Sequence, residues 1–263
     1  MPSPSDLLVE ENDLICTLTL NRPDKRNLLT PTMLVKIDEE LKRLDDEGKV
    51  RCVVIRGAGD KAFSSGYDIA AIGDNDMMRD YEGDHPLIIA GNSIENFPYP
   101  VIAMINGHAF GAGLELAVTC DYRVCVEDAR LGMPPAKLGV IYTYTGIRKF
   151  LNLVGIGHTK ELFLIGNPID ANKGLSIGLV NEVKSSSGIE EYTYSLADDI
   201  ASNAPLSMKT MKYTINKWQR SQKPDPADEE TLKQMILEVQ SSSDYKEGQR
   251  AFAEKRKPKF KGK

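Results

Sequence analysis

The chain has 263 residues, 41% hydrophobic and 27% charged, enough to bury a full core as one large domain or one domain plus a small appendage. Its net charge of −5 gives no electrostatic footing for nucleic acid as the main partner. No apolar run approaches the roughly 20 residues needed to span a bilayer, and no membrane partner is expected.

The first stretch, MPSPSDLLVEEND, lacks the basic and apolar regions of a secretory signal, so a cytoplasmic protein is expected. Residues 14–20, LICTLTL, read as a β-strand closed by the turn signal NRP. Thr30 then caps a helix with Pro31 at its first position; Leu34, Ile37, Leu41 and Leu44 recur at helical spacing until Gly48 stops it. VRCVVIRG (50–57), PVIAMIN (100–106) and DYRVCV (121–126) read as further strands, and this alternation with helices predicts an α/β core.

GAGDKA at 57–62 fits a dinucleotide-binding GxGxxA, but Ser64-Ser65-Gly66 interrupts the helix that should follow, so that reading is set aside. GDNDMMRDYEGDHPLI, within the patternless 70–95 region, reads as a mobile loop. Beyond about residue 186 the pattern turns helical. Ile189, Tyr192, Leu196 and Ile200 form one stripe. Pro205 opens a second with Met208, Met211, Ile215 and Trp218, and Asp225-Pro226 a third with Leu232, Met235, Ile236 and Val239. These stripes are expected to be core or subunit contacts. The expected organisation is a core over 1–186 and a helical oligomerisation region over 187–263. The last nine residues carry six basic ones: a solvated tail, or a place where Lys255 or a neighbour meets a ligand phosphate.

The four cysteines (16, 52, 120, 125) have no CxxC spacing and sit in or beside apolar runs, which fits buried free thiols. His85, His108 and His158 have no i,i+4 pairing, and no metal site is expected. Chemistry concentrates in two small-residue turns, AFSSGYDI (62–69) and GAGLELA (111–117). The second opens a helix, whose unpaired N–H groups favour negative charge. Two such turns together would aim two N–H groups at one oxygen; close packing alone is the other reading. Glu115, amid Leu114, Leu116, Ala117 and Val118, is expected to be desolvated, as suits a proton-transfer group; a carboxylate bonded to a buried loop is the alternative. No GxSxG elbow is present, so an acyl-serine hydrolase is not expected.

The stretches NRPDKRNLLT, VIRGAGDKAFSSGYDI, PVIAMINGHAFGAGLELAVTCD and AFAEKRKPKF, in this order, resemble the crotonase (enoyl-CoA hydratase/isomerase) superfamily from about residue 8 onward. The resemblance implies an α/β fold, a spiral of ββα repeats with a C-terminal helical trimerisation region, assembled as a homotrimer or homohexamer. The implied ligand is an acyl-CoA thioester, coenzyme A entering with the substrate and no separate cofactor. By the same resemblance the Tyr67 and Ala112 N–H groups form the oxyanion hole, Ser65 and Ile69 contact adenine, and Arg26 and Lys255 meet the phosphates. Lys255 would act with Phe252, from a neighbouring subunit. Family hydratases carry a second glutamate where this chain has Pro135. Tyr142 instead matches the methylmalonyl-CoA decarboxylase branch, which often has a histidine at the place of Tyr67. Pocket lining is the alternative for both tyrosines. Decarboxylation of a malonyl-type thioester is therefore the leading expectation. An enoyl-CoA hydratase relying on Glu115 and a non-catalytic acyl-CoA- or RNA-binding member are the alternatives.

Overall fold

In the computed structural model, residues 5–68 and 85–263 are described; the Ile69 assignment and most of the 70–95 loop lie outside them. In chain order the strands and helices are β1 (Leu7–Asn12), β2 (Ile15–Leu20), α1 (Pro31–Glu47), β3 (Cys52–Gly57), β4 (Ala62–Ser64), α2 (Pro86–Asn96), β5 (Val101–Ile105), β6 (His108–Phe110) and α3 (Ala112–Thr119). They continue with β7 (Tyr122–Val126), β8 (Arg130–Gly132), α4 (Pro135–Leu138), α5 (Tyr144–Lys160), β9 (Ile169–Asp170), α6 (Ala171–Ser176) and β10 (Glu182–Lys184). Four helices close the chain: α7 (Ile189–Ser202), α8 (Pro205–Ser221), α9 (Pro226–Ser241) and α10 (Ser243–Ala253).

The strands form two sheets. One runs β1-β2-β3-β5-β7-β10, parallel from β2 onward with β1 antiparallel at its edge; the other runs β4-β6-β8-β9, parallel except for β9. From β3 to β8 the chain gives one strand to the large sheet and the next to the small one. Strands β3 and β5 are apolar almost throughout because both faces are covered, as parallel sheets require. The α1 expectation holds in detail: the Thr30 side chain accepts from Met33 N–H, and Gly48 ends the helix in the left-handed region.

One expectation is corrected and two are sharpened. His85 and the residues after it are not loop: the His85 side chain accepts from Leu87 N–H and Pro86 starts α2, an N-cap followed by proline. Helix α2 packs on α1, where the Ser93 hydroxyl donates to Asp38. The apolar stripes of α8 and α9, expected as core or subunit contacts, are only partly core within this chain: Met208 and Ile236 are buried, but Met211, Ile215 and Trp218 are 56%, 64% and 64% exposed. The basic C-terminus is solvated as expected, but it is docked and not free. Glu247 accepts from Arg256 and from Lys259 N–H, and Asp244 accepts from the N–H groups of Lys261 and Gly262, folding the segment back along α10. No helix among the described residues is long and apolar enough to cross a membrane.

Candidate active site

Each of the two turns follows a strand of the small sheet. After β4, Ser65 N–H donates to the Arg26 carbonyl, Leu29 N–H to the Gly66 carbonyl and Asp68 N–H to the Leu29 carbonyl. Leu29 thereby pairs with Tyr67 as an isolated parallel bridge, and strand alternation directs the intervening Tyr67 N–H to the opposite side. After β6, Gly111 donates to the Gly132 carbonyl and Ala112 begins α3 as its first helical residue, a position whose N–H has no partner within the helix. Gly66 and Gly111 have φ of +113° and +52°, conformations that side-chain-bearing residues rarely adopt.

These turns meet. A β-carbon built on Gly66 would lie 3.9 Å from Ala112 N, and one on Gly111 would lie 4.0 Å from Gly66 Cα. The Tyr142 hydroxyl sits over the same place, 3.4 Å from that Gly111 position. Its ring is held edge-on by Phe163, which in turn packs on Phe150. The expected oxyanion residues and Tyr142 thus converge from β4, α3 and the segment before α5. Helix α3 can lie this close to β4 because position 113 is glycine: a β-carbon there would be 2.5 Å from Ser64 Cβ.

Glu115 lies in the first turn of α3 and is 5% exposed, so the expected desolvation is present. It is not alone, however. Lys149 of α5, also 5% exposed, places Nζ 3.5 Å from Glu115 Oε1. Lys149 escaped the sequence reading, although one signal existed: a lysine on the helical face that buries Gly146, Phe150 and Val154. Pro135 is buried as the first residue of α4, where its fixed φ suits the helix start. The Tyr67 ring stacks obliquely on His85, 5.1 Å between centroids, so α2 brings an imidazole to the first turn.

Among the residues expected to hold coenzyme A, Arg26 and Ser65 are neighbours through their backbone bond, with the Arg26 side chain exposed. Phe252 and Lys255 are exposed at the end of α10, which packs on α4 of the same chain.

Residues 10–263 match the family model described as enoyl-CoA hydratase/isomerase. A short-chain-enoyl-CoA hydratase of Clostridium acetobutylicum is 33% identical over 257 residues, covering 96% of each chain. Among solved structures, a methylmalonyl-CoA decarboxylase in complex with 2-nitronate-propionyl-CoA superposes with a TM-score of 0.93 at 28% identity, covering 98% of this chain and 99% of that one. An enoyl-CoA hydratase from Bacillus anthracis gives 0.75 at 31% identity, covering 98% and 100%.

Proposed function

This chain belongs to the enoyl-CoA hydratase/isomerase family, and from that premise we propose that it decarboxylates methylmalonyl-CoA or a similar malonyl-type thioester. The observation that carries this reading is the Tyr142 hydroxyl standing over the glycine turns; the family resemblance adds that Pro135 falls where hydratases carry a second glutamate. The greater shape agreement with the decarboxylase than with the B. anthracis hydratase, at lower identity, supports it.

In this scheme the thioester oxygen lies between the N–H groups of Tyr67 and Ala112. The Tyr142 hydroxyl donates to the substrate carboxylate and holds its C–C bond across the plane of the thioester. The carboxylate leaves as CO2, and its bonding electrons flow into the thioester to give an enolate. Each oxyanion donor is worth about 3–4 kcal/mol to that charge. No base is needed to start the reaction, so Pro135 is no obstacle. A proton then reaches the α-carbon. Arg26 and Lys255 would meet the phosphates of the coenzyme, and Ser65 its adenine.

The protein would work as a homotrimer or homohexamer in the cytoplasm. The exposed apolar residues of α8 and α9 support association, and four buried free thiols suit a reducing compartment. The alternation of strands between the two sheets supports a spiral of ββα units.

The test is to mix the purified protein separately with methylmalonyl-CoA and crotonyl-CoA and follow each thioester by mass spectrometry. Loss of CO2 from the former is expected. Gain of water by the latter alone would replace this reading with hydration through Glu115, to which the 33% identical hydratase lends support. For the decarboxylase, in a single turnover with enzyme in excess, Tyr142→Phe should remove most CO2 release and Glu115→Gln should spare much of it; the reverse order would point to hydration.

A further inference from the structure

Among the described residues two lysines are almost wholly buried, and they are bonded very differently. Lys212, 8% exposed, donates to the Ile94 carbonyl (3.2 Å), the Tyr99 carbonyl (2.8 Å) and Asp121 Oδ2 (2.6 Å). All three of its N–H groups have acceptors, as a buried ammonium requires. Lys149 has one protein acceptor among the described residues, Glu115 Oε1, and that contact is long at 3.5 Å. A pair held this loosely recovers little of the cost of burying two charges.

The chain nevertheless makes room for it on both sides. A β-carbon at Gly146 would stand 3.1 Å from Glu115 Oε1, and one at Gly91 would stand 3.1 Å from Lys149 Nζ. Two glycines on two helices that pack against α3 therefore line a slot for a carboxylate and an ammonium.

We propose that Lys149 is a positioning residue that supplies, through Glu115, the proton ending the enolate's life. The proposal rests on the thioester-enolate reading above. The Nζ–H bond of Lys149 breaks as the Glu115 carboxylate gains that proton, and the new O–H bond then breaks as the proton passes to the α-carbon, forming the C–H bond. The enolate loses its charge, Glu115 remains a carboxylate and Lys149 is left a neutral amine. Solvent reloads it when the product leaves. The same relay serves hydration, since that reaction also ends with a proton on the α-carbon.

Lysine can release a proton in a protein, whereas arginine cannot. Lys149→Arg keeps the ion pair and removes the proton source. Wild type and this variant should be compared for propionyl-CoA affinity and for washout of α-deuterium from labelled propionyl-CoA. The relay predicts unchanged affinity and washout slower by about 100-fold or more, the scale of general acid–base catalysis. Wild-type washout in the variant would make Lys149 a structural counter-ion and overturn the proposal. A second variant guards against misfolding of the first. In Lys149→Gln, which keeps an N–H toward Glu115 but has no proton to release, washout should be as slow as in the arginine variant, and wild-type washout would overturn the relay. Tight binding without washout would overturn the relay but leave the acyl-CoA site standing; no binding would remove both.

Discussion

Gly111 shows how narrow the tolerance of the site is. Its φ of +52° disfavours any side chain, and a β-carbon would fill the space between the turn and the Tyr142 hydroxyl, 3.4 Å away. Gly111→Ala should therefore cut turnover by about 10²-fold or more, the effect of losing one oxyanion donor, while the chain still folds. Steady-state rates alongside circular dichroism would check this. The thiols make the opposite case, groups placed where nothing reaches them. Burial pushes Cys16, Cys52, Cys120 and Cys125 up to about 12 from an ordinary 9.0. Only the thiolate reacts, so on the order of one thiol in ten thousand is ionised at pH 8. Iodoacetamide at that pH should leave all four unlabelled in the native protein and modify them in guanidinium. Rapid native labelling of any one would contradict its burial.

At the scale of elements, the C-terminal segment is held by carboxylates. The Arg256 guanidinium, together with Lys259 N–H, keeps Glu247 well below the usual carboxylate range. A depressed carboxylate contributes stability above its unfolded value, near pH 4, and loses that contribution as pH falls through the folded one. The segment should thus stay docked at neutral pH and loosen only under strong acid. Glu247→Gln should imitate that loosening at pH 8, making trypsin cut after Arg250 and Lys259 faster than in wild type. Equal cutting rates would show that Asp244 suffices. Helix α2 illustrates a local signal outweighed by its surroundings. His85-Pro86 is an N-cap and first-turn proline, yet the polar run before it hides the start when hydropathy alone is followed.

For the whole molecule, the question is what covers α8 and α9. Leu206, Met211, Ile215, Trp218 and Met235 are each more than half exposed. Surfaces of this kind mark association sites in soluble proteins. Ile215→Asp should shift the protein toward a lower oligomeric state in sedimentation, while leaving helical content unchanged. A wild-type protein that sediments as a monomer at micromolar concentration would end the oligomer proposal.

Strands β2, β3, β5 and β7, helix α1, the two glycine turns and a carboxylate opening α3 were legible in the residues themselves, because periodicity, caps and turn residues are local. So were four buried thiols. The short strands β4, β6, β8 and β9 were not, since two or three residues carry no period and owe their conformation to neighbours across the sheet. Nor was Lys149, whose meaning depends on Glu115 standing 34 positions earlier in the chain. Which N–H groups could share an oxygen, and whether Glu115 stood alone, were decided only when the sheets brought distant turns within a few ångströms. Contacts between residues far apart in sequence leave no local pattern, and this site is made of such contacts.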